Sequence, residues 1–128
     1  MAVEISARGL SAMELGEKIE AQSGPVVITG CLGQRFIGAG MRDRKIRVEG
    51  IPGNALGAYL NGAALEVCGN AQDAVGDTMN AGKIIIHGNV GDTAGYAMRG
   101  GMIFVEGSAG YRAGVHMKEY AGKLPVIV

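Results

Sequence analysis

A glycine returns at Gly30, Gly50, Gly69, Gly88 and Gly107, at intervals of 20, 19, 19 and 19 residues. Each is preceded by two apolar residues one position apart: Val26 and Ile28, Ile46 and Val48, Leu65 and Val67, Ile84 and Ile86, Ile103 and Val105. Each is followed by a second glycine, at Gly38, Gly57, Gly76, Gly95 and Gly114. Three residues later comes a large flexible apolar side chain: Met41, Leu60, Met79, Met98, Met117. A further glycine stands three residues after the first in four units, as Gly33, Gly53, Gly91 and Gly110, and only Gln72 departs. The first unit carries one extra residue, and a sixth begins at Val126 and Val128.

One such unit cannot bury its own apolar face, so neighbouring units must stack. A strand of about four alternating residues puts both apolar side chains on one face, and glycine then permits a sharp turn or a close backbone approach. The spacing predicts an all-β, single-stranded parallel β-helix with coils of about 19 residues, three short faces per coil and glycine corners between them. Identical positions form ladders, an aliphatic one from the strands and a Met/Leu one beside it, where an unbranched thioether fills irregular space. Leucine-rich repeats need a different consensus, and hexapeptide coils a shorter period. Composition agrees. The chain has 23 Gly in 128 residues, and fourteen of them occupy the three columns. Average usage gives roughly nine. With 48% hydrophobic residues, 19% charged and 3 Pro, disorder is excluded, and the absence of a glycine at every third position excludes collagen.

Residues 26–128 are therefore the β-helix, five coils and the start of a sixth, and residues 1–25 an N-terminal cap with a short helix. Ser11 and Glu14 form a capping box, Leu10 and Leu15 a hydrophobic staple, and Leu15, Ile19 and Gln22 carry the helix to Gly24-Pro25. No similar cap is legible after Leu124-Pro125-Val126-Ile127-Val128. This strand is expected to continue in a longer polypeptide, to meet a partner, or to self-associate through its edge.

Twelve acidic and twelve basic residues give zero net charge, which provides no electrostatic footprint for nucleic acid or an anionic membrane. No signal peptide or apolar run of membrane-spanning length is present, so a cytoplasmic location is expected. Cys31 and Cys68 suit a reducing compartment as small buried or half-buried residues. The position before the first glycine reads Thr29, Glu49, Cys68, His87, Glu106. Stacking would bring Cys68, His87 and Glu106 together in a nucleophile, base and carboxylate order. Its parity is opposite to the buried pair, so polar filling of an outward face accounts for it, with a small Cys/His-dependent enzyme as the alternative. A metal site lacks enough ligands. Asn70, Asn89 and Ser108 suggest a side-chain amide ladder at a corner. Arg42, Arg44, Lys45 and Arg47 form the densest charge run, a solvated corner or a partner-docking patch, and His116 is a surface or interface histidine. No nucleotide-type glycine motif occurs.

The stretches Gly69–Met79, Gly95-Tyr96-Ala97-Met98-Arg99-Gly100-Gly101 and Gly110–Tyr120 resemble the Gly-x-Gly-x-Gly repeat family. That family includes the C-terminal domain of the glutamate synthase large subunit and one of the subunits of formylmethanofuran dehydrogenase. The last two stretches look most similar to the stand-alone glutamate synthase version. The resemblance covers about residues 26–128 and implies a right-handed β-helix that acts as a scaffold without catalytic residues. Its partners would be a glutaminase that releases ammonia and an FMN and iron–sulfur domain that converts 2-oxoglutarate to glutamate. The FMN and iron–sulfur groups belong to those partners, so no cofactor or metal is expected on this chain. A scaffold role in a formylmethanofuran dehydrogenase-type complex is the alternative setting.

Overall fold

The computed structural model describes residues 2–119, 122 and 124–128. Seven strands make one parallel sheet in chain order: β1 (Val3–Ser6), β2 (Val26–Leu32), β3 (Lys45–Ile51), β4 (Asn61–Val67), β5 (Ala81–Ile86), β6 (Met102–Val105) and β7 (Val126–Ile127). The repeat thus closes a β-solenoid with 19-residue coils. Each coil contributes one strand, and the rest of each turn is non-β backbone, so only one of the three expected faces is a sheet. In register, Val26, Ile46, Leu65, Ile84 and Ile103 stack on the inner side, and Ile28, Val48, Val67 and Ile86 stack beside them. All of these are buried, and β-branched side chains suit a stacked strand column. Leu60, Met79 and Met98 are fully buried, while Met41 and Met117, at the ends of their ladder, are partly buried against the core.

The sheet starts earlier than the repeat suggests. β1 pairs with β2 from Val3↔Val26 to Ser6↔Thr29, so the segment before residue 26 contributes a strand as well as a helix. Val3 and Ile5 carry the strand alternation, but the helix inserted after them lengthens the interval and hides it. That helix, α1 (Ala12–Glu20), has Ser11 at its N-cap and the full capping box with Glu14. It buries Leu15 and Ile19 and ends at Ala21, three residues short of Gly24-Pro25. The extra residue of the first coil is absorbed where the β2/β3 register shifts between Ile28 and Cys31. Among the described residues no helix is long and apolar enough to cross a membrane.

The corner opposite the sheet has a rule of its own. Every second residue there is left-handed: Ala55, Gly57 and Tyr59 in one coil, Ala74, Gly76 and Thr78 in the next, Thr93, Gly95 and Ala97 in the one after. The central glycine donates its N–H backward, as Gly76 does to Leu56 O at 2.8 Å. The flanking residues donate forward, Ala74 to Asp92 O at 2.9 Å and Thr78 to Tyr96 O at 2.7 Å. A left-handed L-residue costs about 1–2 kcal/mol, and these inter-coil bonds hold it in place. Only the central position must be glycine, because a Cβ on Gly76 would point inward and lie 2.6 Å from Ile103 Cδ1. Flanking side chains point away from the core, where Tyr59 is exposed.

The first glycine column divides differently. A Cβ on Gly88 would overlap Asn70 Oδ1 and the backbone of Gly69, whereas one on Gly69 would meet nothing within 4 Å. Gly88→Ala is therefore expected to destabilise by about 2–4 kcal/mol, from overpacking and a broken hydrogen bond. Gly69→Ala should change stability by less than about 1 kcal/mol. Chemical denaturation of the two variants checks this, and equal losses would mean that the column is glycine for another reason.

Candidate functional site

The ends of β3 to β6 carry the polar column that chemistry would need. Glu49, Cys68, His87 and Glu106 are all exposed, and Thr29 is partly so. The alternation of the strands causes this, since Val48, Val67 and Ile86 immediately before them point inward. Cys68 therefore differs from the expected half-buried residue, whereas Cys31 is buried.

The column does not form the nucleophile–base pair. His87 Nδ1 lies 2.8 Å from Glu106 Oε1, and His87 Nε2 lies 2.6 Å from Glu66 Oε2. With both ring nitrogens facing carboxylates, both donate, and the ring is an imidazolium held between two anions. Arg47 Nε meanwhile donates to Cys68 Sγ at 3.2 Å and lies 3.8 Å from Glu49. The stacking interval of 19 residues joins His87 to Glu106, but the reach across to Glu66 spans 21 residues, as does Arg47 to Cys68. His87 is thus withdrawn from Cys68, and no general base is presented to the thiol. The hydrogen bond to Glu66 first, and that to Glu106 second, raise the His87 pKa above its ordinary value. Burial raises that of the Cys31 thiol. Among the described residues, no group of three or more His, Cys, Asp or Glu is arranged to hold a metal ion.

The basic run separates into different jobs. Arg44 does not face a partner: its guanidinium donates to the carbonyls of Ile19 and Gln22, at the C-terminal end of α1. It satisfies acceptors that the helix leaves open, in the favourable sense of the helix dipole. With the Asn61 amide oxygen turned toward it, Arg42 donates to that oxygen at 3.1 Å. Arg47 serves Cys68 and Glu49, and Lys45 is exposed on the outer side of β3. His116 is exposed on the opposite corner, edge-on to Tyr96 with ring centroids 5.5 Å apart.

Asn70 and Asn89 form a ladder, but not amide on amide. Each side-chain oxygen accepts the backbone N–H of the next coil, Asn70 from Asn89 and Asn89 from Ser108, both at 2.8 Å. A second ladder, not anticipated from the sequence, runs Asn54, Asp73, Asp92, Tyr111 in the same manner at 2.8–3.0 Å. Its signal was present, an Asn or Asp directly after the third-column position. Gln34 was also unanticipated: its amide nitrogen donates to Ala7 O and Leu10 O, and its oxygen accepts from Leu32 N–H, tying the cap to the first coil.

These in-register corners, with an inward glycine in every coil, belong to one known pattern. The family model of the GXGXG motif matches residues 17–127. The chain belongs to the GXGXG motif family. This is the Gly-x-Gly-x-Gly repeat family of glutamate synthase. Nothing among curated proteins or solved structures matches the chain. The match of this GXGXG domain begins inside α1 and reaches β7, so it takes in the whole ladder system. Of the resemblance stretches, Tyr120 lies outside the described residues.

In the GXGXG domain, Arg44→Ala should cost about 2 kcal/mol, because charge-assisted hydrogen bonds to α1 are lost. Thermal unfolding checks it, and an unchanged midpoint would show the contact to be idle. The His87 imidazole should titrate above 6.5 by NMR. Glu66→Gln should lower the midpoint more than Glu106→Gln. Because the folded pKa is raised, this pairing's contribution to stability is complete below the ordinary histidine value. It is lost as pH rises through the folded one.

Proposed function

We propose that this chain is a non-catalytic β-helix scaffold, subunit or domain, of a glutamate synthase-type oxidoreductase in the cytoplasm. Family membership supports the setting. The observation that carries the non-catalytic reading is the Glu66–His87–Glu106 bridge: the histidine best placed to serve as a base is engaged on both nitrogens by carboxylates. The deep interior is aliphatic, with no polar or charged residue buried among those described. In this reading the glutaminase and the FMN and iron–sulfur parts are separate partners that carry the catalytic groups, and the β-helix fixes their arrangement. The first supplies ammonia from glutamine, and the second aminates and reduces 2-oxoglutarate to glutamate.

Co-purification of the chain with the separately encoded glutaminase and FMN-domain proteins of the same organism tests this. A stable complex with at least one of them is expected. The chain alone should show no activity, and alkylating Cys68 should leave the activity of the complex unchanged. Failure to associate with either active protein would overturn the scaffold reading, and recovery of a molybdopterin protein instead would move it to a formylmethanofuran dehydrogenase-type complex.

A further inference from the structure

The outer side of the sheet is not uniformly polar. In register, Lys45, Ala64, Lys83 and Met102 form one outward column, and Val27, Arg47, Glu66, Ile85 and Phe104 form the next. Ala64 is short and stands between two lysines in adjoining coils, so the surface dips there. The dip holds about 260 Å³, with Val27, Ala64 and Ile85 contributing apolar surface and Lys45, Arg47 and Lys83 contributing cations. Lys45 and Lys83 are exposed and have no ion-pair partner among the described residues. Beyond the dip, Ile85, Met102 and Phe104 continue an apolar strip that remains partly exposed. Parallel sheets are ordinarily covered on both faces, and this one has a cover only on the inside.

We propose that this outer sheet face is where the scaffold docks a partner protein, through a segment that presents an apolar anchor flanked by carboxylates. The proposal rests on the scaffold reading and adds which face is used and what chemistry meets it. Three observations select that occupant. The dip is below the roughly 300–1,000 Å³ of small-molecule pockets and suits one inserted side chain of the kind that anchors protein interfaces. The apolar strip extends the contact beyond that anchor, as a segment of protein can and a small ligand cannot. The unpaired charges beside the dip are cations, and charge complementarity then calls for carboxylates. Polarity is fixed as well, since Glu49 and Glu106 lie toward the other end of the strands from Lys45 and Lys83. A segment laid across the face in reverse would set its carboxylates against glutamates.

The test uses the full chain with the glutaminase and FMN-domain proteins as probes, and measures binding at low and moderate salt. Lys45→Glu with Lys83→Glu should weaken binding at least about tenfold and flatten its salt dependence. Ala64→Trp, which fills the dip without reversing charge, should weaken it as well, and covers the case in which the double variant fails to fold. Tyr59→Ser on the corner opposite the sheet should bind as the parent does, and far-UV circular dichroism confirms that each variant is folded. Folded sheet-face variants that bind like the parent would overturn this face while leaving the scaffold reading intact. A parent chain that binds neither protein would overturn both.

Discussion

The register between coils is the constraint on which the rest depends. A backbone N–H in one turn is satisfied by a carbonyl in the turn before or after it, and at the corner the two directions alternate, Gly57 reaching back to Ile37 and Tyr59 forward to Asp77. Unmade hydrogen bonds on buried backbone are costly, so a coil that slips loses bonds to both neighbours at once. Side chains reinforce the same register from outside, where Asn70, Asn89, Asp73 and Asp92 each accept an N–H from the coil above. The aliphatic and methionine ladders fill the space the backbone encloses, and they stack because the hydrogen bonds have already put like on like.

That regularity explains what could be read from residue order alone. The coil length, the inner strand columns and the glycine corners are periodic, and period survives translation into one dimension. The losses are of two kinds. Departures from the period were missed, as with β1, which the inserted helix α1 sets 23 residues from its partner in place of 19. Backbone states that carry no compositional mark were missed too. Ala55, Tyr59, Thr78 and Ala97 are left-handed, yet nothing in an alanine or a tyrosine announces it. Glycine is visible only at the central position, because there the absent Cβ would have entered the core.

The outward column was legible as residues and not as contacts. Stacking by one coil places Cys68, His87 and Glu106 in line, and a reading by column alone makes them a triad. Long side chains reach diagonally, however, and the diagonal neighbours were Glu66 for His87 and Arg47 for Cys68. Arg44 shows the same limit, since its partners are backbone carbonyls of α1 that no residue type reveals. Identity sets what a side chain can bond, and its reach across the stack decides what it does bond.

The one-strand-per-coil sheet also makes the molecule a ruler. Parallel strands step by about 4.8 Å, so the axial distance between any two surface features is a whole number of steps, and β1 to β7 spans six of them. Inserting or deleting a few residues at a corner would break the columns, whereas adding or removing one complete 19-residue coil would preserve every bond and change the length by a single step. Bodies held at different heights along such a support would have a separation counted in coils, and lineages could adjust that spacing by duplication without altering the surfaces that do the holding.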